Sequence, residues 1–212
     1  MSEFVQGPMW TIAVSVFFIG VIWRLVEILR RGIKRDLAVS RGSAGYGGAG
    51  TILRRFLPKK ESAKSSLFLI IAGYMFHLGL FALLLFAAPH IRFLESQLFG
   101  FGWTAMPHWA FVVSAEIAFA GLILLWLRRI LHPVTRLLST FDDYLASGLT
   151  FIAMLTGCLA LFASYSPLRI LHLFSVELLM IYFPFSNLMH AFTFFISRAY
   201  TGAAAGRHGV QT

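Results

Sequence analysis

Five long apolar blocks dominate this sequence and leave few folds open to it. A helix needs about 20 apolar residues to cross the hydrocarbon core of a bilayer, and each block approaches that length. Hydrophobic residues make up 58% of the 212 residues and charged residues only 13%, whereas roughly a quarter of a soluble domain is charged. We therefore predict an all-α membrane protein, a five-transmembrane-helix bundle forming a single membrane domain (1–212), with spans at about 9–29, 66–88, 108–127, 144–165 and 170–197.

The charge distribution predicts an orientation for this bundle. The formal net charge is +9, but the basic residues lie in the segments that join the apolar blocks, which is the pattern of membrane topology and not of nucleic-acid binding. The positive-inside rule then places the N-terminus outside and the C-terminus in the cytoplasm, with 30–64 as a basic cytoplasmic loop. The Lys and Arg residues of that loop are Arg30, Arg31, Lys34, Arg35, Arg41, Arg54, Arg55, Lys59, Lys60 and Lys64.

Several classes of site are excluded by the motifs the chain lacks. The glycines of RGSAGYGGAG predict a mobile loop, and the absence of a GKS/T ending excludes a phosphate-binding loop. Cys158 is the single cysteine, which excludes an internal disulfide, a cysteine-ligated iron–sulfur cluster and a CxxCH haem attachment. The first residues lack the pattern of a removable signal peptide, so none is expected. Any haem bound by this chain would be non-covalent.

Four histidines in or near the spans are the strongest candidates for function, because titratable residues inside membrane helices are costly. His172 and His190 are 18 residues apart, which is five whole turns and roughly 27 Å along one continuous helix. His77 and His190 fall at similar depths from the cytoplasmic face, roughly 16 and 12 Å, and His90 and His172 both fall near the outer face. We predict two bis-histidine haems, His77 with His190 and His90 with His172, each six-coordinate and suited to electron transfer.

His90 follows His77 by 13 residues, which places the two rings roughly 140° apart around an ideal helix. Pro89 is expected to interrupt the helix just before His90 and could re-aim that ring. Two alternatives stay open for each histidine: a buried ring hydrogen-bonded to a neighbouring helix, or an interfacial ring facing water. A single-haem version would use His77 and His190 alone.

Three stretches of this chain resemble one family. The run YFPFSNLMH, preceded by LHLF, is similar to the fifth helix of the gamma subunit of respiratory nitrate reductase; GYMFHLG resembles the start of its second helix; and WLRRILHPVTR resembles its basic connector. The likeness covers about 66–198. It extends to the membrane cytochrome b subunits that accompany dissimilatory sulfite reductase and heterodisulfide-reductase-like iron–sulfur proteins.

The resemblance implies a dihaem cytochrome b in the cytoplasmic (inner) membrane of a prokaryote. Such a subunit exchanges electrons with the quinone pool and with an iron–sulfur partner subunit on the cytoplasmic side. By this likeness His77 and His190 match the ligands of the inner haem, and His172 matches a ligand of the outer haem. The chain departs from the nitrate reductase branch near Ala87, where that branch has its second helix-2 histidine, and His90 is the substitute.

Quinol oxidation releases protons as well as electrons, so a quinone site needs groups that accept protons or hydrogen bonds. The candidates in this chain are His90, His108, Glu116 and Glu177. For the two glutamates a polar link between packed helices is an equal alternative. Three arginines could bind haem propionates at the inner face, although anchoring by the positive-inside rule is favoured for them: Arg128, Arg129 and Arg136.

Two other functions remain compatible with the sequence. One is a transporter or channel subunit whose histidines relay protons, and the other is a cofactor-free membrane anchor that docks a peripheral enzyme through the basic loop. The chain carries no metal-cluster motif, so oxidation or reduction of a terminal substrate would lie in partner subunits. Its own enzymatic role would be that of an electron-transfer subunit in a quinol/quinone oxidoreductase complex.

Overall fold

The computed structural model describes residues 2–32, 37–56, 63–162 and 166–210, and within them the chain is helical with no strand. This confirms the all-α prediction. The α-helices are Ser2–Phe4, Trp10–Arg31, Ala44–Arg54, Ala63–Phe86, Ala88–Leu94, His108–Leu131, Pro133–Leu138, Phe141–Phe162, Ser166–Tyr182 and His190–Arg207. Short π-helical turns occupy Val5–Met9 and Glu95–Phe99, and 3-10 turns occupy Phe183–Phe185 and Asn187–Met189.

Five of the described helical stretches are long and apolar enough to cross a membrane, as predicted: Ser2–Arg31, Ser66–Phe86, His108–Leu131, Phe141–Leu161 and Pro167–Phe185. They support a multi-pass membrane protein. The predicted end of the fourth span, at residue 165, and the parts of the basic loop at 33–36 and 57–62 lie outside the described residues.

The chain divides into two compact units, one comprising Ala63–Arg169 and the other Met1–Ser62 with Ile170–Thr212. In the first unit the second and third candidate spans cross at two glycines. A Cβ added at Gly79 would lie 2.7 Å from the carbonyl oxygen of Ser114, and one added at Gly121 would meet the backbone nitrogen of Phe76. Small residues at such crossings let helix backbones approach closely, which is how membrane helices associate without a strong hydrophobic drive.

The second candidate span ends at a break that Pro89 helps to impose. Ala87 is extended (φ −71°, ψ 131°), and a new short helix begins at Ala88 with the proline in its first turn, where a missing N–H is tolerated. This confirms the predicted interruption before His90. The carbonyls released at the break are satisfied within the same unit, since the Trp103 indole donates to Leu85 (2.8 Å) and the Met106 amide to Phe86 (3.0 Å).

The fourth candidate span packs on the third through mixed polar and aromatic contacts. The Trp126 indole donates to the hydroxyl of Ser147 (2.8 Å), and the ring of Phe151 contacts that of Trp126 at a centroid distance of 5.2 Å. At the end of the same helix pair Arg129 lies 3.1 Å from the Asp143 carboxylate. These contacts join the spans on both sides of the short connector.

In the second unit, the glycine-rich part of the basic loop is a helix, so the prediction of a mobile loop there is wrong. The helix Ala44–Arg54, called the connector helix below, begins at Ser43, whose hydroxyl accepts the Tyr46 amide (3.3 Å). It packs on His190–Arg207, called the C-terminal helix below. A Cβ at Gly206 would lie 2.8 Å from the Cα of Gly47. The glycines that predict a loop are instead required for this backbone contact.

Arg198, on the C-terminal helix, contacts residues at the end of the connector helix. Its guanidinium lies between the rings of Phe56 and Phe194, at 4.7 and 4.8 Å from their centroids. It also donates to the carbonyl of Ile52 at 3.4 Å. Cation–π contacts of this kind hold a charged side chain against apolar surface, and they tie two segments that are distant in sequence.

The predicted fifth span is not one continuous helix from 170 to 197. The α-helix ends at Tyr182, two 3-10 turns follow, and Ser186 between them is extended (φ −114°, ψ 171°). Pro184 explains the break, because it has no N–H to donate and its ring clashes with the carbonyl four residues earlier. The premise that His172 and His190 lie five whole turns apart on one helix is therefore wrong.

Candidate functional site

His190 follows the turn that interrupts the predicted fifth span, and it lies beyond the end of the candidate span at Phe185. Ser186 caps the second 3-10 turn by accepting the Leu188 amide (3.2 Å) and donating to the Phe183 carbonyl (3.0 Å). The Asn187 carbonyl then lies 2.7 Å from Nδ1 of His190, which is the first residue of the C-terminal helix and is exposed. The motif PFSNLMH thus encodes a helix stop, a cap and a carbonyl that orients the histidine.

The first candidate span packs against this turn. A Cβ at Gly20 would lie 2.6 Å from Cβ of Pro184, so only glycine allows the two segments to meet here. Phe17 packs edge-on against Phe183 at 5.2 Å and lies 6.0 Å from Phe192. The position of His190 therefore depends on the N-terminal helix as well as on its own motif.

His77 lies in the second candidate span, half-buried, with Nδ1 2.7 Å from the Gly73 carbonyl one turn earlier. Its ring contacts Phe76 at a centroid distance of 4.9 Å. The backbone nitrogen of that same Phe76 faces Gly121 at the helix crossing. The crossing of the second and third spans therefore fixes the backbone next to His77.

His90 is folded back across the break at Ala87. Its ring is half-buried, and Nδ1 lies 2.9 Å from the Leu83 carbonyl, seven residues earlier. A regular helix does not bring residues i and i−7 within hydrogen-bond distance. The interruption before Pro89 therefore re-aims this ring.

Three of the four predicted iron ligands share one feature, because Nδ1 of each lies within hydrogen-bond distance of a backbone carbonyl. A carbonyl only accepts, so Nδ1 must carry the proton and donate. In a neutral imidazole Nε2 then carries the lone pair. This is the tautomer and second-shell contact typical of histidines that ligate metals through Nε2. The three residues are His77, His90 and His190.

His172 and Glu177 lie on the helix Ser166–Tyr182. The His172 ring is half-buried, and the carbonyl of this residue accepts the Ser175 hydroxyl at 2.8 Å. The Glu177 side chain is 1% exposed, and its Oε2 has no hydrogen-bond partner within the described part of the chain. A buried carboxyl oxygen without a partner is costly in an apolar segment, which marks Glu177 as a functional candidate.

The other candidates in the first unit differ from Glu177 in their surroundings. His108 begins the third span and Glu116 lies two turns further on, and both side chains are exposed. Arg129 is paired with Asp143 at 3.1 Å, which gives it a structural role at the end of its helix. The Arg128 guanidinium lies 5.9 Å from the ring centroid of Phe68.

The predicted pairs each take one histidine from each compact unit: His77 and His90 belong to one unit, and His172 and His190 to the other. The pairing His77–His190 and His90–His172 therefore stays a prediction. Among the described residues no group of three or more His, Cys, Asp and Glu side chains converges on one point.

Some residues that shape the site are not conspicuous in the sequence. The side chains of Gly20 and Ser186 do not by themselves suggest a role at His190. The contacts of Gly73 and Asn187 are made by main-chain carbonyls, so the identity of the side chain does not reveal them. The one available signal is Pro184, since a proline inside an apolar block predicts a helix interruption. It could have located the turn that presents His190.

Comparison with known proteins identifies one informative relative. No family model matches the chain, and no solved structure matches it. A protein of Nitratidesulfovibrio vulgaris (strain Hildenborough), whose name states no activity, is 30% identical over 210 residues, covering 95% of this chain and 92% of that protein. An alignment of that extent reaches all five candidate spans. The chain belongs to the same family as this Nitratidesulfovibrio vulgaris protein.

Proposed function

We propose that this chain is a membrane-anchoring cytochrome b subunit that transfers electrons between the quinone pool and a cytoplasmic iron–sulfur partner subunit. In this proposal two b-type haems are held non-covalently, one by His77 and His190 and the other by His90 and His172. The N-terminus lies outside and the C-terminus in the cytoplasm of a prokaryotic inner membrane. The haems would supply one-electron redox chemistry.

The observation that carries the proposal is the hydrogen bond from Nδ1 to a backbone carbonyl that three of the histidines share. Nδ1 of His77, His90 and His190 donates to a backbone carbonyl in each case, so in the neutral form of each ring the lone pair is on Nε2, as iron ligation requires. These carbonyl contacts also fix the ring orientation, which lowers the entropy lost on ligation. The four-histidine pattern and the likeness of PFSNLMH to a dihaem family add support from the sequence.

The test is the visible spectrum and haem content of the purified subunit. The proposal expects redox-active absorption bands and about two haems per chain by pyridine haemochrome assay. A colourless protein would contradict it and favour the proton-relaying transporter or the cofactor-free anchor. A ratio near one would favour the single-haem version with His77 and His190.

The position of the proposed quinone site is inferred from the buried carboxyl group of Glu177. Of the candidates His90, His108, Glu116 and Glu177, only Glu177 combines near-complete burial with an oxygen that has no partner in the described chain. Quinol oxidation must deliver protons to such an acceptor as electrons leave. We assign Glu177 as the proton acceptor of this site.

Glu177→Gln is expected to slow quinol-dependent reduction of the haem by about 10²-fold or more, because the amide keeps the shape of the carboxyl but cannot take the proton. The measurement is stopped-flow absorbance with a soluble quinol analogue, alongside haem content, which should not change.

The matched control is Glu95→Gln, an exposed acid between the second and third candidate spans. It should leave the quinol rate unchanged. A normal rate in Glu177→Gln would mean that Glu177 is a polar link between helices and not a proton acceptor.

A further inference from the structure

A cavity of about 170 Å³ opens between the connector helix and the C-terminal helix, within one compact unit. Its walls include the hydroxyl-bearing residues Ser43, Tyr46 and Thr51 and the arginine Arg54 on one side. On the other side lie Gly206 and Gly209, which have no side chain to fill the space, and the apolar residue Val210. A small space lined by both polar and apolar groups therefore lies where the two helices otherwise touch backbone to backbone.

The two segments that form this cavity carry positive charge and no acidic residue. Residues 37–56 and 178–210 contain no Asp or Glu, so these segments supply no carboxylate to neutralise their own cations. The Arg54 guanidinium is held at the cavity, 5.8 Å from the ring centroid of Tyr46. The arginines of the two segments are Arg41, Arg54, Arg55, Arg198 and Arg207. An anion fits this environment and a cation does not.

An apolar ridge runs beside the cations. Tyr46 and Leu53 are seven residues apart on the connector helix, so they share one face, and they are 73% and 72% exposed. Gly47 and Gly48, on the opposite face, contact the C-terminal helix. A helix that combines exposed aromatic and aliphatic side chains with flanking arginines fits the boundary between headgroups and acyl chains.

The segment that contains the connector helix begins and ends at the same membrane surface. It follows a candidate span that ends at Arg31 and precedes one that begins at Ser66, so both its ends lie at the same face of the bilayer. The lipids of that face are the anions available at highest local concentration to the connector helix.

We propose that this cavity binds the phosphate of an anionic phospholipid headgroup. Arg54 supplies the compensating charge, the hydroxyls of Ser43 and Tyr46 donate hydrogen bonds to the phosphate oxygens, and the Tyr46–Leu53 ridge contacts the acyl chains. The inference does not depend on haem binding. It assigns a lipid-dependent role to a segment whose glycine content alone predicts a loop.

The test uses the purified full chain, titrated in detergent with phosphatidylglycerol or phosphatidylcholine, with retained lipid counted by native mass spectrometry. Arg54→Gln is expected to weaken phosphatidylglycerol binding about fivefold, as loss of one cation near an anionic headgroup implies. Tyr46→Phe keeps the ring and removes the hydroxyl, so a loss of about threefold is expected. Arg54→Lys keeps the charge and should retain most of the affinity.

Arg92→Gln, in the other unit, is the matched control and should bind phosphatidylglycerol like the wild type. Circular dichroism checks that each variant keeps its helix content. Equal retention of phosphatidylcholine and phosphatidylglycerol, or undiminished binding by Arg54→Gln, overturns the proposal. Displacement of the lipid by millimolar inorganic phosphate would assign the cavity to a soluble anion, and displacement by polyglutamate to an acidic protein; either result overturns the lipid assignment.

Discussion

Replacing His190 by alanine is expected to remove one haem from the purified subunit, lowering the ratio measured by pyridine haemochrome assay from about two per chain to about one. The Asn187 carbonyl, 2.7 Å from Nδ1, fixes the tautomer in which Nε2 can bind iron. Alanine leaves that carbonyl in place but removes the proposed ligand. Six-coordinate ligation should then fail at that proposed haem, while the proposed His90–His172 site keeps both of its histidines.

The control for this variant is His208→Ala, which changes a histidine just beyond the end of the C-terminal helix. It removes an imidazole without touching a proposed ligand, so haem content should not change. Unchanged haem content in His190→Ala would contradict the assignment of this residue. If the wild-type ratio is already near one, His190→Ala should leave no haem, which distinguishes the single-haem version.

The sequence predicts the membrane helices well because their driving force is local. Each apolar block must satisfy its own backbone hydrogen bonds in lipid, and a helix is the structure that does so within one segment. All five predicted spans correspond to described helices of sufficient length and hydropathy. The largest boundary difference is in the fifth span, whose candidate helix ends at Phe185 and not at 197. The third span instead extends to Leu131, four residues beyond its predicted end.

The connector helix could not be predicted in the same way, because its stability comes from a distant segment. Glycine disfavours isolated helices by about 1 kcal/mol per residue, and RGSAGYGGAG therefore predicts a loop. Contact with the C-terminal helix reverses this preference, since Gly47 and Gly206 allow a backbone approach that larger residues would prevent. The relevant signal is a match between two small-residue stretches more than 140 residues apart, which no local pattern shows.

At the candidate site the sequence predicts which residues matter, but it does not predict the backbone geometry that orients their side chains. The histidines stand out because they are titratable groups in apolar blocks. The 18-residue spacing of His172 and His190 assumes an unbroken helix, and Pro184 removes that assumption. The carbonyl contacts of His77, His90 and His190 depend on backbone geometry, so they emerge only from the folded chain.

Gly121→Ala is expected to destabilise the protein by about 1–3 kcal/mol, seen as a lower midpoint in thermal unfolding followed by circular dichroism in detergent. The added methyl group would meet the backbone nitrogen of Phe76 and lie 2.8 Å from the carbonyl oxygen of Ala72. Both are main-chain atoms, so no side-chain rotation relieves the overlap, and the two spans must separate. Alanine otherwise favours a helix over glycine, so a loss of stability reports the crossing and not helix propensity.

Gly148→Ala provides the matched comparison, since a Cβ at Gly148 meets nothing within 4 Å. It should leave the unfolding midpoint unchanged or raise it slightly. Because Phe76 adjoins His77, separation at Gly121 should also displace the backbone that carries this proposed ligand, and haem content should fall with stability. Equal midpoints for the two variants would mean that the second and third spans do not cross at Gly121. Lost stability with full haem content would instead separate the crossing from the His77 site.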